Sequence, residues 1–236
     1  CDAPRSAGAR RHSGPEWAVI RVMLVDDQAM VRTGFRMILE AETGLTVVGE
    51  AVDGRDAVDM VARARPDVIL MDVRMPNMDG IEACEKICAV DGHARVMMLT
   101  TFDLEDHVHA ALRVGASGFL LKDAPPEQLV EAIRIIAAGD ALLAPSVTQI
   151  LIDEVARRPV GQPDAFPGIA QLTARELDVI RLMACGMSNG EIATELYLGE
   201  ATVKTHVGRI LSKLGARDRV QAVVAAYESG LVTPGA

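Results

Sequence analysis

Asp26 and Asp27, Asp72, and Lys122 lie far apart in the chain, yet each closes an apolar run: 19–25, 68–71 and 118–121. Such runs read as buried strands. In an open α/β sheet, ligands bind in the crevice at the carboxyl ends of the strands, so this placement predicts one site built from all four side chains. Three carboxylates crowded together repel one another and resist ionisation unless cations neutralise them. A divalent cation held by hard oxygen ligands and the Lys122 ammonium would do so, and together they suit phosphoryl chemistry. A lone aspartate at a strand end is more often a turn former or helix cap. The coincidence of four such groups carries the functional reading.

The elements that must position these residues follow from the apolar periodicity. Between 19 and 138, strands and amphipathic helices alternate five times. Val31, Phe35, Ile38 and Leu39 share one helix face, as do Leu104, Val108, Ala111 and Leu112, and later Leu129, Ile133 and Ile136. Strands are expected near 46–51, 68–72, 95–100 and 117–122 after the first, with helices at 55–65, 80–90, 104–115 and 125–138. The pattern predicts a doubly wound, five-stranded parallel sheet covered on both faces.

Half of the residues are apolar but only 3% are aromatic, so aliphatic side chains must build the core. No apolar run approaches the roughly 20 residues needed to cross a bilayer, and the start of the chain lacks a signal-peptide core. A cytoplasmic protein with no membrane partner is expected. Residues 1–18 lack periodicity and are expected to be disordered; because the first strand opens at Val19, we take Val19 as a candidate natural start, which an intact mass including Cys1 would refute. The four cysteines lack the paired spacing of a metal site and read as small buried hydrophobes.

The net charge of −9 falls entirely on residues 1–170, while 171–236 are neutral. Within that neutral part, 202–219 hold Lys204, Arg209, Lys213, Arg217 and Arg219 against Asp218 alone. A basic stripe on an otherwise acidic chain is a candidate footprint on nucleic acid. Residues 139–170, punctuated by Gly and Pro, read as a linker, and 171–236 as a small all-helical domain. Thr173 with Glu176 and Ser188 with Glu191 form two capping boxes. A tight turn at 198–200 then leads into a helix over 200–214, giving a helix-turn-helix whose second helix would enter a major groove. With Val203, Val207, Ile210 and Leu214 inward, Thr205, Gly208, Arg209 and Ser212 face out. Lys204 and Thr205, with Thr202 beside them, are candidates for base or near-base contacts, and Arg209, Lys213 and Arg217 for phosphate.

Several stretches together resemble a known family. Val22 to Asp27, Leu70 to Gly80, Met98 to Thr101 and Gly115 to Lys122 resemble the flavodoxin-like receiver domain of two-component response regulators. Leu172 to Glu176, Gly186 to Ala193 and Ala201 to Val207 resemble the LuxR-type DNA-binding domain. The pair is similar to response regulators of the NarL/FixJ type, over about 19–232.

The resemblance implies that Asp72 accepts a phosphoryl group from a sensor histidine kinase. Asp26 and Asp27 would hold Mg²⁺ together with Asp72 and the carbonyl of Arg74. Lys122 and Thr100 would contact the phosphoryl oxygens, with Thr101 the rival hydroxyl, and Phe119 would be the switch aromatic that turns inward. Val220, Val223, Val224 and Tyr227 would form a dimerisation stripe on the last helix. The implied function is phosphorylation-promoted homodimerisation and binding of double-stranded DNA to regulate transcription. Such a protein catalyses only its own phosphorylation and dephosphorylation and is otherwise not an enzyme. An aspartate-nucleophile phosphatase is the enzymatic alternative, but Arg74 stands where it would carry a second aspartate.

Overall fold

The computed structural model describes residues 19–90, 93–100, 105–139 and 168–232. The expected disorder of 1–18, nearly all of the 139–170 linker, Thr101 and Cys1 lie outside them. The elements run β1 (Ile20–Val25), α1 (Ala29–Glu40), β2 (Leu45–Ala51), α2 (Gly54–Ala64), β3 (Val68–Asp72), α3 (Gly80–Val90), β4 (Arg95–Thr100), α4 (Glu105–Arg113), β5 (Gly118–Leu121) and α5 (Pro126–Ala137). After the linker come α6 (Ala174–Ala184), α7 (Asn189–Glu195), α8 (Glu200–Leu214) and α9 (Arg219–Glu228).

All five strands are parallel, in the order β2-β1-β3-β4-β5. Successive strand side chains point to opposite faces, and both faces are apolar. Met23, Val25, Ile69, Met71, Val96, Met98 and Phe119 meet α2, α3 and α4. Val22, Leu24, Val68, Leu70, Met97, Leu99 and Leu120 meet α1 and α5. This two-sided burial explains why the strands read as continuous apolar runs instead of alternating ones.

The C-terminal helices build a third core around Val179, Ile180, Met183, Ile192, Val203, Ile210, Val223 and Tyr227. Both capping boxes form, Thr173 with Glu176 and Ser188 with Glu191. The αL C-cap at Gly215 ends α8, and Asp218 caps α9 by accepting from the Gln221 N–H at 3.0 Å.

The two domains are joined by more than the chain. Val220 and Val224 of α9 are buried in the first core of the sheet domain, whereas Val223 and Tyr227 belong to the third. The expected dimerisation stripe therefore splits, because residues three apart on α9 face two different neighbours. Tyr227 also donates its hydroxyl hydrogen to the Ala184 carbonyl at 2.9 Å, which holds it inside its own domain.

Candidate functional site

Register brings the acidic residues together. β1 pairs with β3 so that Val25 lies opposite Met71, and the next residues, Asp26 and Asp72, leave the sheet side by side. The chain moves from β1 outward to β2 and then crosses back to β3, so the pair sits at the topological switch point. Thr100 lies opposite Leu121, and the Lys122 N–H donates to the Thr100 carbonyl at 2.9 Å, which brings Lys122 to the same edge.

Lys122 Nζ lies 2.8 Å from Asp26 Oδ2 and 2.7 Å from Asp72 Oδ2. Asp26 Oδ1 accepts from the Gln28 N–H at 2.8 Å. Asp26 Oδ2 is buried, and the Lys122 ammonium 2.8 Å away is its charge partner. The Arg74 N–H donates to the Asp72 carboxylate. Asp26 and Asp72 are almost fully buried and Asp27 is exposed.

One ammonium shared among these carboxylates leaves negative charge unbalanced. Burial pushes the Asp72 carboxyl above its usual range, and the neighbouring Asp26 charge adds to this, so the stabilisation from Lys122 is outweighed. For Lys122, burial acts to lower the ammonium, but two carboxylates at hydrogen-bond distance more than compensate and hold it above its usual value. The lysine gains from both partners, while each partner has only a share of it.

Asp26, Asp27 and Asp72 offer carboxylate oxygens all within 4.8 Å of one another. Three hard oxygen donors, one of them the buried Asp26 Oδ2, match the demands of Mg²⁺. The donor set fits the ion that the sequence implied.

The loop that follows Asp72 is tightly constrained. A Cβ on Gly80 would overlap the Asp72 carbonyl oxygen, so α3 can start this close to β3 only with glycine there. Asn77, in the left-handed region at φ 62°, donates from Nδ2 to Asp53 Oδ2 at 2.7 Å. Asp53 also caps α2 by accepting from the Asp56 N–H at 2.9 Å. This tie between the β2–α2 turn and the β3–α3 loop is absent from the sequence expectations. Asp53-Gly54 ahead of an amphipathic run was the available signal, but only for a cap.

Thr100 is buried at the end of β4 beside the acidic edge. Phe119 is already inward, at 2% exposure, in the core that also receives Val220 and Val224. The inward position expected to follow phosphorylation is thus the position found here.

On α8, Thr202, Lys204, Thr205, Gly208 and Arg209 are exposed, as the helical wheel required. Lys204 pairs with Glu200 at 3.2 Å and lines a cleft of about 370 Å³ that faces Ile135 of α5. Thr205 turns its hydroxyl back onto the Ala201 carbonyl at 2.9 Å. Lys213 and Arg217, expected to reach phosphate, are directed elsewhere. Lys213 Nζ donates to Glu176 Oε2 at 2.6 Å and to the Gln171 carbonyl at 3.0 Å, because α6 and the turn before it pack against the end of α8. Arg217 donates from Nη2 to the Gly115 carbonyl in the sheet domain. Arg219 is buried and donates to the Asn189 side chain at 3.0 Å. Of the basic stripe, Lys204 and Arg209 remain on the outer face of α8.

Residues 22–134 match the response regulator receiver domain, and 170–226 match the luxR family of bacterial regulatory proteins. The chain belongs to the NarL/FixJ-type response regulators. This response regulator is 46% identical to the uncharacterized transcriptional regulatory protein YxjL of Bacillus subtilis, over 90% of this chain and 97% of that protein. It is 41% identical to the transcriptional regulatory protein LiaR of Bacillus subtilis, over 91% of this chain and all of that protein. Among solved structures it is similar to the response regulator ChrA of a heme-sensing two-component system, with 38% identity, a TM-score of 0.50, and coverage of 91% of this chain and all of that one. The response regulator's described residues hold no helix long and apolar enough to cross a membrane.

Proposed function

We propose that Asp72 is the phosphoacceptor of this transcriptional regulator and that a sensor histidine kinase is the donor. The observation that carries this reading is the Lys122 ammonium set within 2.8 Å of both Asp26 and Asp72 at the switch point of the sheet. A carboxylate oxygen of Asp72 attacks phosphorus, the bond from phosphorus to the kinase imidazole breaks, and the imidazole nitrogen takes a proton. Asp26, Asp27, Asp72 and the Arg74 carbonyl would hold Mg²⁺, which when bound supplies neutralisation of the phosphoryl charge. Lys122 keeps Asp72 oriented before transfer and balances the added charge afterwards. Thr100, buried at the end of β4, would offer its hydroxyl to a phosphoryl oxygen.

The readout runs through β5 and α4 to α9. The dianion on Asp72 draws Lys122 and Thr100 toward itself at one end of β4 and β5. At the other end of β5 lies the surface that covers Val220 and Val224 of α9. A shift there uncovers the two valines for pairing with a second copy, and frees Lys204 from the cleft facing α5. Couplings of this kind are typically about 1–3 kcal/mol. Lys204, Thr205, Thr202 and Arg209 would then meet double-stranded DNA, Arg209 on phosphate and the others near the bases.

The test is incubation of the full chain with acetyl phosphate and Mg²⁺, followed by intact mass and analytical ultracentrifugation. Wild type should gain one phosphoryl group and shift toward a dimer, and Asp72→Asn should do neither. Equal phosphate uptake by Asp72→Asn would refute the assignment.

A further inference from the structure

Two cysteines on α3 lie at the boundary between the domains. Cys84 Sγ and Cys88 Sγ are 3.7 Å apart, Cys84 fully buried and Cys88 only partly so. Cys88 Sγ is also 3.7 Å from the Gly115 carbonyl oxygen, the same oxygen that accepts from Arg217 of the DNA-binding domain. The other terminal nitrogen of Arg217, Nη1, is buried with no hydrogen-bond partner. A thiol held against a neighbouring thiol and a guanidinium with an unused N–H is the setting that stabilises a thiolate. Hydrogen bonding from Cys84, followed by the charge of Arg217, lowers the Cys88 thiol below its usual range against the effect of burial. Cys84 is pushed the other way by its hydrogen bond to Cys88 and by burial. The third described cysteine, Cys185, is exposed at the C-cap of α6, not buried as its apolar sequence context suggested.

We propose that Cys88 is a modification site for small peroxides, and that its oxidation to a sulfenic acid separates the DNA-binding domain from the receiver domain. The Cys88 thiolate attacks one oxygen of hydrogen peroxide. An S–O bond forms, the O–O bond breaks, sulfur gives up two electrons, and the second oxygen leaves as hydroxide, which becomes water by taking up the proton that the thiol released to solvent. Arg217, which donates into this corner from the other domain, favours both the thiolate and the oxygen added to it.

On the side of Gly115 and Arg217, an added oxygen fits only if the interface moves. Even a single carbon on Gly115 would overlap the Arg217 guanidinium and lie 3.0 Å from Cys88 Sγ. The short segment around Gly115 also carries other polar contacts between the domains. Gln221 Nε2 donates to the Leu112 carbonyl at 2.9 Å and the Ala116 carbonyl at 3.3 Å, Ser117 bonds Asp218, and Arg113 pairs with Glu228 at 3.1 Å. An oxygen inserted between Cys88 and Gly115 therefore disturbs the whole set. Cys84 does not resolve the product to a disulfide while α3 is intact. Residues four apart on a helix have Cβ atoms about 5–6 Å apart, beyond the roughly 3.5–4.5 Å that a disulfide spans.

The test uses the full chain at pH 7 with limiting hydrogen peroxide and dimedone, read by peptide mass spectrometry and small-angle scattering. The dimedone adduct should form faster at Cys88, which faces Arg217, than at the exposed Cys185. Arg217→Met should reduce that preference and leave Cys185 unchanged. The radius of gyration should rise as Cys88 is oxidised in wild type and in Asp72→Asn, but not in Cys88→Ser. The Asp72→Asn arm separates this proposal from the phosphoacceptor reading, since it responds whether or not Asp72 is phosphorylated. Labelling of Cys88 no faster than Cys185, or an unchanged radius at full Cys88 oxidation, would overturn it.

Discussion

Ser117 Oγ donates to Asp218 Oδ2 at 2.6 Å, a buried hydrogen bond between residues 101 positions apart and on different domains. Asp218 uses its other oxygen to cap α9, so the same carboxylate fixes the start of that helix and anchors it to the base of β5. Removing the hydroxyl leaves Asp218 Oδ2 buried against a methyl group, which costs about 1–3 kcal/mol. Ser117→Ala should therefore favour separated domains and raise the DNA affinity of the unphosphorylated chain about tenfold, the equivalent of about 1.4 kcal/mol. Fluorescence anisotropy with operator-length duplexes would check this, and an unchanged affinity would argue that the Ser117 bond does not hold the domains together.

At the other end of β5, Lys122 balances Asp26 and Asp72. Lys122→Met strands two buried carboxylates, and breaking such a pair from one side costs about 3 kcal/mol. The variant should melt well below wild type in chelator. Millimolar Mg²⁺ should recover part of the loss, because a divalent cation among Asp26, Asp27 and Asp72 replaces the missing charge. A melting curve for Lys122→Met that ignores Mg²⁺ would count against the proposed cation site.

Gly80 constrains Asp72 through backbone alone. Any Cβ there collides with the Asp72 carbonyl, and the N–H of Gly80 donates to the Val73 carbonyl at 3.0 Å, so neither side can yield freely. Gly80→Ala should destabilise the receiver domain by about 2–3 kcal/mol, in the range of overpacking at a rigid site. It should also slow phosphate uptake even when the folded fraction is corrected for. By contrast, Gly208→Ala, where a Cβ meets nothing within 4 Å, should stabilise α8 by about 1 kcal/mol.

DNA binding should discriminate among the five cations of the basic stripe. Lys204→Ala and Arg209→Ala, both on the exposed face of α8, should each weaken binding. Where the deleted side chain neutralised a phosphate, the slope of log affinity against log salt should fall by about one. Lys213→Met should instead lower the melting temperature of the DNA-binding domain, since its ammonium is bound to Glu176. A large change of salt slope for Lys213→Met, with stability unaltered, would return it to the phosphate-binding set.

Much of this architecture was legible in the chain, and the reasons differ by region. The inner strands were found because two-sided burial makes them apolar runs that end at polar groups, whereas the edge strand β2, LTVVGEA, is only partly buried and was placed by the alternation with helices. The meeting of Asp26, Asp72 and Lys122 followed from one rule about strand ends. The capping boxes were local and therefore visible. What escaped was non-local: Lys213, Arg217 and Arg219 look alike as members of one basic stretch, yet tertiary partners claim all three. Likewise Val220 and Val223 share an apolar face in sequence, and only packing assigns one to the receiver core and the other to the DNA-binding core.

Glu176 gives the DNA-binding domain its acid sensitivity. Its side chain is 3% exposed, and burial alone would raise its carboxyl, but the Lys213 ammonium and the Thr173 N–H bring it down to about 2. A carboxylate depressed below its unfolded value near 4.5 contributes stability that is complete above that pH and is lost as pH falls toward 2. The contribution is about 3 kcal/mol at neutral pH. Glu176→Gln should therefore be less stable than wild type at pH 7, by about that amount, and the two should converge as pH falls from 4.5 toward 2. Denaturant melts of the two proteins across this interval would decide it. Parallel curves, with a gap that persists at pH 2, would show that shape and not charge is what Glu176 supplies.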